Sequence, residues 1–113
     1  MSAQPKQTVL YQNYPNPFNP LVEKTKIRFE IGTDIISAND IRLEKQSHIS
    51  IKIYNIALEL VKTFNLQYNT AIIDEIEWDG KNEDGEIVSD GIYLCQFVSP
   101  SYKKTIKIML IKN

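Results

Sequence analysis

Apolar residues along this chain recur at every second position, in short runs separated by turn-forming residues. Ile27, Phe29 and Ile31 alternate with Arg28 and Glu30, and Ile49, Ile51 and Ile53 alternate with Ser50 and Lys52, with Tyr54 closing that run. A period of two places one set of side chains on a buried face and the other in solvent, so each run predicts a half-buried strand. Ile72, Asp74, Ile76 and Trp78 share one parity, opposite Ile73, Glu75 and Glu77. Ile92–Val98 is aromatic and β-branched, and Thr105–Ile111 sets Ile106, Ile108 and Leu110 on one face. Leu58–Phe64 is apolar without clean alternation, which predicts a β-bulge there.

The connections carry turn chemistry. Asp79-Gly80, Asp84-Gly85 and Asp90-Gly91 are turn dipeptides, because glycine supplies positive φ at little steric cost. Ser99-Pro100-Ser101 reads as the loop of the last hairpin. No long helical period appears, so the expected fold is all-β, an immunoglobulin-like β-sandwich of about seven mostly antiparallel strands. Residues 32–47 stay open: Ser37-Ala38-Asn39-Asp40 would cap a short helix, whereas Ile41 and Leu43 would line an added strand. Residues 1–8 are polar and read as a linker or tail, leaving 9–113 as the folded domain.

The stretch before the first clear strand obeys a different rule. In Val9-Leu10-Tyr11-Gln12-Asn13-Tyr14-Pro15-Asn16-Pro17-Phe18-Asn19-Pro20, prolines 15, 17 and 20 fix φ and remove backbone donors. Residues before proline are pushed out of the helical region, so Tyr14, Asn16 and Asn19 should be extended or in turns. The segment is expected to be a stiff, irregular lead-in with Phe18 as an apolar anchor. An equally weighted structural reading has it simply closing one end of the sandwich, its asparagines bonding nearby backbone.

Composition changes this picture little. The chain has 113 residues, 42% hydrophobic and 24% charged, with a formal net charge of −1. That length suits one domain able to bury about two-thirds of its unfolded surface without a disulfide or metal. The single cysteine, Cys95, permits no intrachain bridge; it lies in an alternating apolar run and reads as a small buried hydrophobe. No apolar stretch approaches the roughly 18 residues of a membrane span. Residues 1–7 lack the apolar core of a signal peptide, so export would require a signal in a longer parent. Charge is segregated: residues 74–90 hold eight carboxylates against Lys81, and the last strand holds Lys103, Lys104, Lys107 and Lys112 without an acid. Two solvated faces account for this most simply.

Candidate chemistry is sparse. His48 is the sole histidine, and with Cys95 it supplies too few ligands for a zinc site. No nucleophile motif surrounds a serine. The loop from Asp79 to Gly85 approaches a calcium pattern but places Gly80 where the first ligand belongs, which favours an ordinary turn. Near-neutral charge and the absence of nucleic-acid-binding motifs argue against nucleic-acid binding. The expectation is a monomeric, non-catalytic module with no cofactor and no small-molecule substrate.

Three motifs carry a family resemblance. Leu10 to Pro20 followed by Thr25-Lys26-Ile27-Arg28-Phe29 resembles the opening of type A C-terminal sorting domains of the type IX (Por) secretion system. Ile51-Lys52-Ile53-Tyr54-Asn55, with Val61 and Phe64, is similar to that family's second motif. Trp78-Asp79-Gly80, Asp84-Gly85, Val88 and Gly91-Ile92-Tyr93 resemble its third, which is shared with the Ig-like domain of flagellar hook-capping proteins. The resemblance spans residues 10–112. Departures are Leu58 where the family has glycine, Cys95 where an aromatic is common, and the length of 32–47.

The resemblance implies an Ig-like sandwich appended C-terminally to a passenger protein. It implies recognition by outer-membrane type IX machinery and a sortase-like protease, and delivery to the cell surface or medium by way of the periplasm. Candidate recognition residues are Asn13, Pro15, Asn16, Pro17, Phe18, Asn19 and Pro20, and the lysines 103, 104, 107 and 112; Trp78, Asp79, Gly80, Gly85, Gly91 and Tyr93 are expected to be structural. An exposed first or last strand would suit addition to a partner's sheet. Two rivals remain: a hook-capping structural domain, against which the proline-rich opening argues, and an accessory binding domain of a surface enzyme, which would need a row of exposed aromatics.

Overall fold

The computed structural model describes residues 7–33, 47–68, 72–99 and 102–113. Seven strands lie within them: β1 (Val9–Leu10), β2 (Thr25–Ile31), β3 (Ser47–Tyr54), β4 (Leu60–Tyr68), β5 (Ile72–Trp78), β6 (Gly91–Val98) and β7 (Lys103–Leu110). They form two sheets, one of order β1-β2-β5 and one of order β4-β3-β6-β7, with every strand pair antiparallel. The expected all-β sandwich is the architecture found.

Alternation decides which side chains fill the space between the sheets. Ile27, Phe29, Ile31 and Trp78 come from the three-stranded sheet. Ile49, Ile51, Ile53, Tyr93, Cys95, Phe97, Ile106, Ile108 and Leu110 face them from the other, all buried. Aromatic rings bridge the layers: Phe29 and Phe97 have centroids 5.8 Å apart, and Trp78 and Tyr93 5.4 Å. The Tyr93 hydroxyl donates 2.5 Å to the carbonyl of Ser89, four residues upstream. This is the tyrosine corner by which immunoglobulin-like folds pin the entry to the strand at this place.

The bulge predicted near Leu58–Phe64 is present. Lys62 stands opposite Ile53 but Leu60 opposite Tyr54, so Val61 is the extra residue. The strand itself runs further than the sequence pattern indicates, to Tyr68, because its pairing with β3 extends to Ser47. Asp74 has the core-facing parity of β5, an awkward place for a carboxylate, and receives the Tyr68 hydroxyl at 2.8 Å. Burial and this bond push the Tyr68 phenol pKa up. The helix-or-strand alternatives for 32–47 fall almost wholly outside the described residues, as do Pro100 and Ser101 of the last loop and residues 1–6 of the polar lead.

Candidate functional site

The proline-rich opening changes sheets. Its first part belongs to the three-stranded sheet: the Tyr11 N–H donates to Arg28 O at 3.0 Å, and Tyr14 exchanges bonds with Lys26 at 3.0 and 2.8 Å. Its second part runs beside β7, with Phe18 bridged in parallel to Leu110. There the Phe18 N–H donates to Met109 O, and the Ile111 N–H donates to Phe18 O, each at 3.0 Å. Two of the three X-Pro bonds in this stretch, Tyr14-Pro15 and Asn16-Pro17, are cis.

Prolines at alternate positions explain what the asparagines do. A strand interrupted by proline lacks ladder donors, so other groups must satisfy the neighbouring edge. Asn16 supplies them: its Oδ1 accepts the Met109 N–H at 2.8 Å, and its Nδ2 reaches Lys107 O at 3.4 Å. The Gln12 amide also donates to Lys107 O, at 2.7 Å. Asn19 Nδ2 donates to Asn113 O at 3.0 Å, and Asn19 Oδ1 accepts the Leu21 N–H. Asn13 is buried, and its amide donates 2.8 Å to the Thr25 hydroxyl, which in turn donates to Pro15 O. Each motif asparagine therefore has a structural partner.

Phe18 is buried as the sequence suggests, and its ring lies against Trp78. The Trp78 indole N–H donates 3.0 Å to Lys81 O. Pro20 sits on Gly80, whose φ is +77°; a Cβ there would lie 2.7 Å from Pro20 Cβ. The opening and the Trp78-Asp79-Gly80 motif thus meet in one cluster with Tyr93. Asp79 Oδ1 accepts the Lys81 N–H, and Asn82 Oδ1 accepts those of Asp84 and Glu86, each at 3.0 Å. These side-chain oxygens are turned onto the loop's own backbone N–H groups, in a turn that also holds Gly85 at φ +79°. Gly91 opens β6 opposite Leu110.

The four lysines do not form one row. Lys103 and Lys107 lie on the outer face of the four-stranded sheet, at the parity opposite Ile106 and Ile108, whereas Lys104 has the other parity. Lys112 is tied down: its Nζ donates 2.8 Å to Val88 O, and its N–H donates to Asp90. The expectation of a freely exposed last strand also needs correction. Alternate residues of an edge strand point their polar groups outward; on β7 these are the odd positions. The outward groups from Lys107 O to Ile111 N are covered by Gln12, Asn16 and Phe18; among the described residues nothing covers those of Lys103 and Thr105. The first strand pairs with β2 on one side and stands at the edge of its sheet.

His48 and Cys95 point to opposite faces of the same sheet, since Cys95 shares the parity of buried Tyr93 and Phe97 while His48 is exposed. His48 Nδ1 lies 3.2 Å from Gln67 Nε2. Burial pushes the Cys95 thiol up to about 12, which keeps it protonated and unreactive. Trp78 and Tyr93 are buried, and Tyr54 is half-buried. The aromatic side chain that does stand out is Tyr14, 78% exposed at the tip of the opening. Sequence reading passed over it; its place before a proline that cannot pair was the available signal.

No family model matches the chain, and no curated protein does. Among solved structures it is similar to PorZ, described as an essential bacterial surface component of the type IX secretion system of human oral-microbiomic Porphyromonas gingivalis, at 23% identity over 90% of this chain with a TM-score of 0.56. It is also similar to dimeric latent PorU from Porphyromonas gingivalis, at 21% identity over 95% of this chain with a TM-score of 0.63. The chain spans 11% and 10% of the length of those two proteins. The shared element is the fold.

Proposed function

We propose that this chain is a non-catalytic C-terminal sorting domain that directs an N-terminal passenger through the type IX secretion system to the cell surface. The observation that carries the reading is the assembled opening. The segment with the highly specific proline and asparagine order is an irregular stretch that leaves one sheet by a bridge at Tyr14, joins the other by a bridge at Phe18 and covers part of the edge of the C-terminal strand. The two family-like motifs at opposite ends of the chain are joined through Phe18 and Trp78 into one rigid end. A machine that accepts many passengers must read a feature independent of them, and an autonomous, pre-ordered domain loses little entropy on docking. The occurrence of a similar fold in PorZ and PorU, one described as a type IX component, supports the same reading.

In this reading the partners are the outer-membrane translocation machinery and its sortase-like protease, and the passenger is covalently attached upstream. The parts of the opening left for a partner are Tyr14, Asn16 and Pro17, all exposed, with Asn16 lying against β7 at Lys107. The decisive experiment fuses residues 8–113 behind a reporter with a signal peptide, in a bacterium with a working type IX system. Surface or extracellular reporter, lost when the system is deleted, is the expected result. A stable, folded fusion held in the periplasm overturns the proposal.

A further inference from the structure

The outer face of the four-stranded sheet is divided into an apolar and a polar half. Strand register aligns Leu60, Tyr54, Leu94 and Lys107 in one row, with Ile92 and Met109 paired in the row beside it. Leu60 is 53% exposed, and Ile92 and Met109 are each 39% exposed. The next row is Thr63, Lys52, Gln96 and Thr105, able to hydrogen-bond. Leu58 from the β3–β4 turn lines a shallow groove with Tyr54, Leu94, Gln96 and Thr105.

Leu58 is the informative residue. Its φ is +64°, the left-handed region, where a side chain is disfavoured and glycine or asparagine is usual. The turn requires that conformation: the Leu58 N–H donates to Asn55 O, and Asn55 exchanges bonds with Glu59. A type I turn followed by a left-handed residue is a common three-residue hairpin, normally with glycine in the last place. Here the chain keeps a strained leucine that is 68% exposed, so its side chain is not retained for packing in the core. Backbone strain held for an exposed apolar side chain points to an interaction.

Charge selects the occupant. The outward positions of these four strands carry Lys52, Lys103 and Lys107 and no carboxylate; Glu83 stands beyond the β4 edge, 3.7 Å from Lys62. A second copy docking by the same face would bring these lysines together. A lipid would leave the Lys52–Thr105 row facing acyl chains. We infer that this face binds an extended protein segment of alternating apolar and acidic residues, its apolar side chains on Leu58, Tyr54, Leu94 and Met109 and its carboxylates on Lys52 and Lys107. The inference is independent of the sorting role.

The test is a titration of the isotope-labelled 113-residue chain, followed by amide shifts, with a short synthetic peptide alternating leucine and glutamate. Shifts confined to the rows around Leu58, Leu94 and Thr105 are expected. Leu58→Gly and Leu58→Asn, both suited to the left-handed turn, should weaken binding roughly tenfold or more, the loss of one buried leucine, with the melting temperature kept or raised. Lys107→Glu should weaken it further. No binding, equal binding of a leucine–lysine peptide, shifts elsewhere, peptide-free concentration-dependent shifts on this face, or shifts only with anionic phosphatidylglycerol vesicles would each overturn the inference.

Discussion

The Phe18 ring lies 5.6 Å from the Trp78 ring, centroid to centroid, at an interplanar angle of 56°. Sixty residues separate them in sequence, and both are buried. Through this contact the proline-rich opening and the Trp-Asp-Gly turn form one body, and further packing of Pro20 on Gly80 fixes their distance.

Phe18→Ala should therefore cost about 3–5 kcal/mol, the usual range for emptying a buried phenylalanine site. That lowers the melting temperature by more than about 10 °C in a domain of this size. Tyr14→Ala, at an exposed side chain, should stay within about 0.5 kcal/mol. If the opening is read directly by a receptor, Tyr14→Ala impairs export of the fusion while calorimetry shows a native melting temperature. Unchanged export would assign the segment a structural role alone.

Asn16→Ala removes the acceptor of the Met109 N–H. Because the site is exposed, water replaces part of the bond, and the expected loss is about 0.5–1.5 kcal/mol. Hydrogen exchange gives the sharper readout. The Met109 amide should lose protection, and the Ile111 amide, which bonds the Phe18 carbonyl, should keep most of its own.

Gly80 and Gly85 have nearly the same φ, +77° and +79°, but different surroundings. Alanine at either meets the left-handed penalty of roughly 1–2 kcal/mol. At Gly80 it also meets Pro20 Cβ at 2.7 Å and Leu110 Cδ1 at 3.1 Å, whereas nothing lies within 4 Å at Gly85. Denaturant unfolding should show Gly80→Ala as the more damaging, and adding Pro20→Ala should recover part of the difference.

The Cys95 thiol has its pKa raised from 9.0 to about 12 by burial. Between those values the unfolded chain has released a proton that the folded chain retains. The native state then binds more protons, so stability is full below about pH 9 and falls as pH rises towards 12. The Tyr93 phenol, raised by burial and by Asp90, acts with the same sign at higher pH. Cys95→Ala should flatten the decline between pH 9 and 10 in urea unfolding series. Native protein should also resist thiol-modifying reagents until it unfolds.

Much of this fold was legible because its causes are local. A period of two announces a half-buried strand within a few residues, and the Asp-Gly pairs announce where the chain must reverse. Thus Ile27–Ile31, Ile49–Tyr54 and Ile92–Val98 were recognisable, as were the bulge before Phe64 and the burial of Phe18, Trp78 and Cys95. Tyr68 as the end of β4 was not, because a polar Asn65-Leu66-Gln67 run becomes a strand only when β3 pairs with it.

The chain's own residues settle strand parity, the turns, the extended opening and the separation of acidic from lysine-bearing segments, since each follows from neighbours in sequence and from fixed backbone sterics. Only the folded molecule decides that the opening crosses between sheets, that the Asn16 side chain stands in for a ladder acceptor to the Met109 N–H, that Lys112 is bound to Val88, and that Leu58 joins Tyr54 and Leu94 on an outer face. Each of these unites groups that no local period relates, and the pairing of two sheets, with the burial it brings, is what makes one such arrangement more stable than its competitors.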